Sequence, residues 1–500
     1  MQPLEGKIVI DSCNVIGRID DRIYGGFVEH MGRCVYGGIY EPDHPLANGS
    51  GFRVDVLSYV QQLQIPLIRY PGGNFVSGFR WEDSVGRPED RPVRIDLAWK
   101  SIEPNRVGLH EFTQWAGEAG SRVMMAVNLG TRGAAEAADL LEYCNVPGGT
   151  QLSELRKSHG QHEPYHYKVW CLGNEMDGPW QICNKTAAEY GLLARETGKA
   201  MKRLDPSIEL VACGSSGSYL PTYPEWDATV LDLAYAHTDY LSVHAYINDK
   251  NSDLPNYLAQ SLQFEAYIQS LVSVCDYIKA KHRSRKTMYL SVDEWNVEPF
   301  NWLNNDGVDQ PVVGPALCEG NFSLADAVVF GTMIIALLKK SDRVKIACLA
   351  QLVNVFGPIM TEKRGIAWRQ TTYYPFLHAS LYGRGTAVHV HVSSPKVDTT
   401  DFTDVPLVES VAVAHDDGGL TVFAVNRSVD RALELELDLR GYAPFTSLRR
   451  IELTGQQPDT YNAASSPDAV IPREQTTGLQ SDLSPTVRLA PLSWNVIRFT

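Results

Sequence analysis

Eight short apolar, strand-forming runs recur along the first 354 residues, and longer amphipathic stretches separate most of them. The runs are RIYGGFVEH (22–30), IPLIRYPGG (65–73), RVMMAVNLG (122–130), KVWCLGNE (168–175), ELVACGSS (209–216), YLSVHAY (240–246), MYLSVDEWN (288–296) and VKIACLAQLVN (344–354). The stretches 186–204 and 324–340 carry apolar residues at helical spacing. Continuous apolar strands alternating with helices imply a parallel sheet covered on both faces. Eight such units predict an α/β fold of the (β/α)8 TIM-barrel type. A doubly wound open sheet is the alternative, but no GxGxxG follows the first run.

Near residue 380 the helical pattern stops. Residues 410–428, 433–439 and 486–500 alternate in the manner of strands, which predicts an all-β sandwich. The early strand GKIVID (6–11) precedes the barrel and is expected to join that sandwich. The predicted division is 18–380 for the barrel, with 1–17 plus 381–500 for the β domain. Residues 455–483, rich in Gln, Pro, Ser and Asp, read as a long surface loop.

In such a barrel the C-terminal strand ends share one rim, where chemistry sits. The runs leave Glu29, Arg69 with Asn74 beyond it, Asn128, Asn174 and Glu175, Ser215, His244 and Tyr246, Asp293 and Glu294, and Gln351 with Asn354. Packing alone does not explain so many polar ends, because an unpaired buried polar group costs ~1–3 kcal/mol. Two carboxylates facing across a barrel mouth fit glycoside hydrolysis: one protonates the leaving oxygen, the other attacks carbon or activates water. Strand alternation sends Asp293 and Glu294 to opposite faces. That makes Glu294 the residue at the mouth and Asp293 structural. Alternatives stand beside this reading. Glu175, Glu294 and Glu29 pair with Arg69 in a purely structural site, His244 is a satisfied core histidine, and Trp99, Trp180 and Trp302 are hydrophobic lining.

A net charge of −14 argues against nucleic acid or an anionic membrane as partner. The N-terminus lacks the pattern of a signal peptide, and no run reaches the ~18 apolar residues of a membrane span. Nine cysteines without a CxxC read as free thiols in a reducing compartment, so a cytoplasmic protein is expected and a zinc site is not.

The strings RYPGGNFVSGFRWED (69–83), RPVRIDLAW (91–99), VNLGTRG (127–133), CLGNEMDGPWQ (171–181), LSVDEWNV (290–297) and LAQLVNVFGPIMTEK (349–363) closely resemble family 51 α-L-arabinofuranosidases, retaining (β/α)8 glycosidases. The resemblance is dense over 7–380 and weaker beyond. It implies exo-acting double displacement without metal or organic cofactor. Glu175 would be the acid/base and Glu294 the nucleophile. Glu29, Arg69, Asn74, Trp99, Asn174, His244, Tyr246 and Gln351 would bind the sugar, with Trp180 and Trp302 on the leaving-group side. It implies an arabinose-containing oligosaccharide or polysaccharide as substrate, and a homo-oligomer, commonly a hexamer. The sequence departs from the family at Cys183–Asn184, at Ala245 and Ile247, and over 298–311. These departures border the pocket and bear on leaving-group preference. They leave open another retaining glycosidase, such as a β-xylosidase or an endo-glucanase. A carbohydrate-binding protein without turnover is the non-enzymatic alternative.

Overall fold

The computed structural model describes residues 3–248, 253–298, 310–442, 444–479 and 484–500. Eight strands close a barrel in which every neighbouring pair is parallel. In chain order they are Gly25–Phe27, Leu67–Tyr70, Arg122–Val127, Val169–Leu172, Glu209–Ala212, Tyr240–Ile247, Tyr289–Val297 and Val344–Ala350, called here strands one to eight. Closure removes the open-sheet alternative and leaves no free edge.

Alternation within each strand sorts the core into two layers. Met124, Ala126, Val169, Cys171, Ile346 and Cys348 fill the lumen. Their neighbours Val123, Met125, Trp170, Leu172, Ala347 and Leu349 face the surrounding helices. Strands three, four and eight are therefore apolar on both sides, as their continuous runs require.

The helices start where the sequence offers caps. Thr186 accepts from Glu189 N and Glu189 returns a bond to Thr186 N, opening the helix Ala187–Leu204. Ser323 and Asp326 do the same for Leu324–Lys339. That second helix is buried from Leu324 to Leu338, because the barrel covers one side and the C-terminal sheet the other. Phe330 packs on Trp295 of strand seven at 4.8 Å. Gly331 lies against the sheet's Trp494, where a Cβ would come within 2.5 Å of the indole.

The C-terminal domain is one hydrogen-bonded sheet of nine strands. Leu433–Arg440 and Thr486–Leu489 lie at one end, yet their leucines share a core with Leu420, Val422, Ile497 and Phe499. The sheet thus folds over itself into a sandwich. The strand at the fold is Leu4–Arg18, longer than the expected 6–11. It pairs parallel with Leu433–Arg440 and antiparallel with Thr386–Ser393, and its register slips between Ile10 and Val15. Such a bulge bends a strand.

One expectation fails in this domain. Within 455–483, residues Arg473–Gly478 form an exposed edge strand paired with Ser447–Leu453. All six are exposed, so no apolar alternation marks them. Among the described residues no helix is long and apolar enough to cross a membrane, and all nine cysteines are free.

Candidate active site

Strand four ends in a sharp reversal. Gly173 has φ +87° and Glu175 φ +44°, both left-handed. The first requires glycine, and the second is strained for glutamate. The turn carries Asn174 and Glu175 together into the mouth instead of to opposite faces.

Strand seven breaks alternation by another device. Ser291 pairs with Ser242, but Glu294 pairs with His244, so strand seven carries one extra residue. The pairing with strand eight slips over the same segment. The bulge turns both Asp293 and Glu294 inward, which corrects the expectation that strand alternation sends them to opposite faces. Asp293 sits deeper. Glu294 reaches the rim.

Arg69 joins the two sides of the site. Its Nη1 donates to Glu294 Oε1 at 2.6 Å and its Nη2 to Asn174 Oδ1 at 2.7 Å. The guanidinium lies 4.6 Å over the Phe27 ring. Tyr246 OH donates to Glu294 Oε2 at 2.8 Å. Opposite, Glu175 Oε1 lies 2.9 Å from His244 Nδ1, and Trp180 Nε1 donates to Glu175 Oε2 at 2.5 Å. Oxygens of Glu175 and Glu294 approach within 4.8 Å. This is near the ~5–5.5 Å of retaining glycosidases and well short of the ~6.5–9.5 Å that inverting enzymes need.

A third carboxylate closes one end of the pocket. Glu29 accepts from Phe75 N and Trp99 Nε1 on one oxygen and from Gln351 Nε2 on the other. Burial, then the charge of Glu294, pushes its proton affinity up to about 8. Glu175 is likewise raised by burial, and Glu294 adds to this, while its bonds to His244 and Trp180 pull the other way. The site thus sets a carboxyl of raised proton affinity beside one bound by an arginine. Glu175, His244 and Glu294 stand close enough to share a cation. Their donors are already engaged by Arg69, Tyr246, Trp180 and one another, so no metal is assigned.

Matches to known proteins agree with this geometry. The model described as "Alpha-L-arabinofuranosidase 1 domain" matches residues 59–263, and "Alpha-L-arabinofuranosidase C-terminal domain" matches 293–493. The chain is 51% identical over 500 residues to the intracellular exo-α-(1→5)-L-arabinofuranosidase of Halalkalibacterium halodurans, covering 99% of both. It is 45% identical to the exo-α-(1→6)-L-arabinofuranosidase of Bifidobacterium longum, covering 99% of this chain and 97% of that one. A solved family 51 α-L-arabinofuranosidase from Bifidobacterium longum superposes with a TM-score of 0.94 at 40% identity, covering 100% of both chains. This chain is a family 51 α-L-arabinofuranosidase-type glycoside hydrolase.

Within this family 51 site, the structure brings together Glu29, Arg69, Asn74, Trp99, Asn174, Glu175, His244, Tyr246, Glu294 and Gln351. Asn74 enters by accepting from Asn174 Nδ2 at 3.3 Å. Trp180 is 43% exposed at the rim. Trp302 and most of 298–311 lie outside the described residues. Three polar strand ends turn away from the mouth. Asn128 ties down Gly130, Thr131 and Phe79. Ser215 binds the buried Asp227. Asn354 binds Arg33 and Thr361. Of the departures from the family, Cys183 is exposed at φ +59°, and Asn184 N bonds back to Gln181 O. Ala245 is half-buried and Ile247 buried.

Sequence reasoning missed several supports. Gln181 lies 3.4 Å from Asn174 and bonds Ser77. Asp177 accepts from both the backbone and the hydroxyl of Ser216. The GlyGly of RYPGG is a further signal: a Cβ on Gly73 would meet Glu294 Oε1 at 2.7 Å. That glycine lets the backbone approach Glu294.

Proposed function

We propose that this glycoside hydrolase is a retaining, exo-acting α-L-arabinofuranosidase that removes terminal arabinofuranosyl units from arabino-oligosaccharides, arabinan or arabinoxylan. The observation that carries the reading is the close pair of glutamates, Glu175 and Glu294, with unequal partners. Glu294, bound by Arg69 and Tyr246, attacks the anomeric carbon while the glycosidic C–O bond breaks. The leaving oxygen takes the proton of Glu175. Water then attacks the glycosyl ester, gives its proton to Glu175, and releases Glu294. Glu29, Asn74, Trp99, Asn174 and Gln351 supply hydrogen bonds to the sugar. Trp180, exposed above Glu175, offers an aromatic face to the leaving group. The reaction needs no metal or organic cofactor.

The two relatives described above are named as exo-acting arabinofuranosidases, and one of them is named intracellular. This supports the substrate class and an intracellular location. Because those two names differ in linkage, the preferred linkage is left to experiment. Assembly as a homo-oligomer, a hexamer by family resemblance, belongs to the same reading, and sedimentation measures it. The barrel is taken as 18–380 and the β domain as 1–17 plus 381–500.

The test is aryl-glycoside hydrolysis on α-L-arabinofuranoside, β-D-xyloside and β-D-glucoside, with the anomer of the first-formed product read by proton NMR. Strong release from the arabinofuranoside with retained configuration is expected. Preference for another glycoside would overturn the specificity, and an inverted product would overturn the double displacement.

A further inference from the structure

The register slip in strand seven leaves in the lumen a carboxylate that the double displacement does not use. Asp293 is 1% exposed. Ser242 Oγ donates to its Oδ1 at 2.5 Å. His244 Nε2 lies 3.4 Å from that same Oδ1, and Arg69 Nε lies 3.9 Å from Oδ2. On the other side of the imidazole, Nδ1 is 2.9 Å from Glu175 Oε1 and 3.6 Å from Glu294 Oε2. Both ring nitrogens therefore face carboxylates. A neutral imidazole turns a lone pair toward one of them, which suits only a protonated carboxyl, whereas an imidazolium presents an N–H to both.

We propose that Asp293 is a positioning residue for the hydrolysis, holding His244 as an imidazolium whose Nδ1–H is aimed at Glu175. The proposal rests on the glycosidase reading above. Its value lies in the change of charge during turnover. Before the first step, anionic Glu294 offsets the imidazolium, so Glu175 retains the proton it must donate. In the glycosyl ester Glu294 has lost its charge. Asp293 is then the anion that keeps the proton on His244, and the imidazolium favours the carboxylate form of Glu175 that accepts the proton of water.

The charges around the ring fit this role. Glu175 and Asp177 face it from the end of strand four, and Asp293 and Glu294 from strand seven. Arg69 stands behind Asp293 and Glu294, and Tyr246 bonds Glu294. Burial alone would lower the proton affinity of His244. The charge of Glu294, then the contact with Asp293 and the bond to Glu175, raise it to about 10. Burial opposes ionisation of Asp293 too, but Arg69 first, and then His244 and Ser242, hold it below the usual carboxylate range.

The experiment uses the full chain and Asp293→Asn, which keeps the shape and the Ser242 acceptor but removes the charge. Nitrogen NMR of labelled histidine, with His244 assigned through His244→Gln, follows the imidazole from pH 5 to 10. The variant is expected to lose the His244 proton about tenfold more readily than wild type. On an aryl arabinofuranoside with a strongly activated leaving group, the second step limits kcat. There kcat is expected to fall about tenfold or more while kcat/KM falls less than about threefold, lowering KM. An unchanged His244 titration, or kcat and kcat/KM falling together, overturns the proposal. Should Asp293→Asn not fold, Ser242→Ala frees Asp293 without altering charge. It is expected to show the same split at about threefold in kcat, and an unchanged KM would overturn the proposal. Wild-type inactivity on arabinofuranosides would count against the substrate reading alone, and the His244 titration then decides this one.

Discussion

Arg69 and Glu294 meet at 2.6 Å with side chains 1% and 9% exposed, an ion pair formed between strands two and seven at the floor of the pocket. The same guanidinium also faces Asp293 and Asn174. Replacing it by methionine takes the arginine from two buried carboxylates and leaves His244 alone to face both. Arg69→Met is expected to lower unfolding stability by about 3–5 kcal/mol, the usual cost of breaking a buried pair from one side. Urea denaturation measures it, and a loss under about 1 kcal/mol would mean that water or another cation already serves these carboxylates.

Glu294→Ala is expected to lower turnover of an aryl arabinofuranoside at least ~10⁴-fold, on the order of 5 kcal/mol or more of barrier. Steady-state kinetics at matched enzyme concentration reads it. A drop of only a few-fold would put the nucleophile elsewhere.

Trp180 donates to the oxygen of Glu175 that His244 does not touch. This bond favours the carboxylate and so lowers the proton affinity of Glu175. Trp180→Phe keeps the aromatic face and removes the donor. The basic limb of kcat/KM should move to higher pH, with less than about tenfold lost at the optimum. A limb that stays put, or moves down, contradicts the assignment of Glu175 as the acid.

Gly73→Ala places a methyl within 2.7 Å of Glu294 Oε1 and close to Asn174. A displacement of about 1 Å at a reacting group costs on the order of 10²-fold in rate. The expectation is a loss of that size in kcat/KM. A variant as active as wild type would show that the mouth has slack between strands two and seven.

Among the buried groups that make the fold weaker as pH rises are two that line the pocket. Glu29 keeps its proton to about 8, whereas in the unfolded chain it loses it near 4.5. His244 holds its proton to about 10 against 6.5. In each case the unfolded state releases protons first, so the contribution is full below the lower value and lost as pH climbs through the higher. Stability should therefore decline from about pH 5 toward 10, and Glu29→Gln should flatten the part between 5 and 8. Denaturation midpoints across that range test it, and a Glu29→Gln variant whose midpoint changes with pH as wild type does between 5 and 8 would contradict the environment described for Glu29.

The barrel was legible because eight apolar runs leave little choice of architecture, and the place of Glu175 and Glu294 at the mouth was legible because each lies at or near the end of such a run. What escaped the reading depends on departures from periodicity. Nothing in SVDEWN reveals that strand seven gains a residue against strand six, so Asp293 was placed on the wrong face. Asn128, Ser215 and Asn354 occupy the same strand-end positions as the pocket residues, but neighbouring loops capture their side chains. The polar edge strand Arg473–Gly478 is held by backbone bonds alone, which no side-chain pattern records.

The strand Leu4–Arg18 has consequences for the order in which the molecule is made. Its partners, Thr386–Ser393 and Leu433–Arg440, leave the ribosome only after the whole barrel has been synthesised. Ile8 and Ile10, fully buried in the finished protein, must wait without their sheet through that interval. Late closure of so long a loop makes this strand a point where a newborn chain is open to chaperones or to a neighbouring copy's sheet.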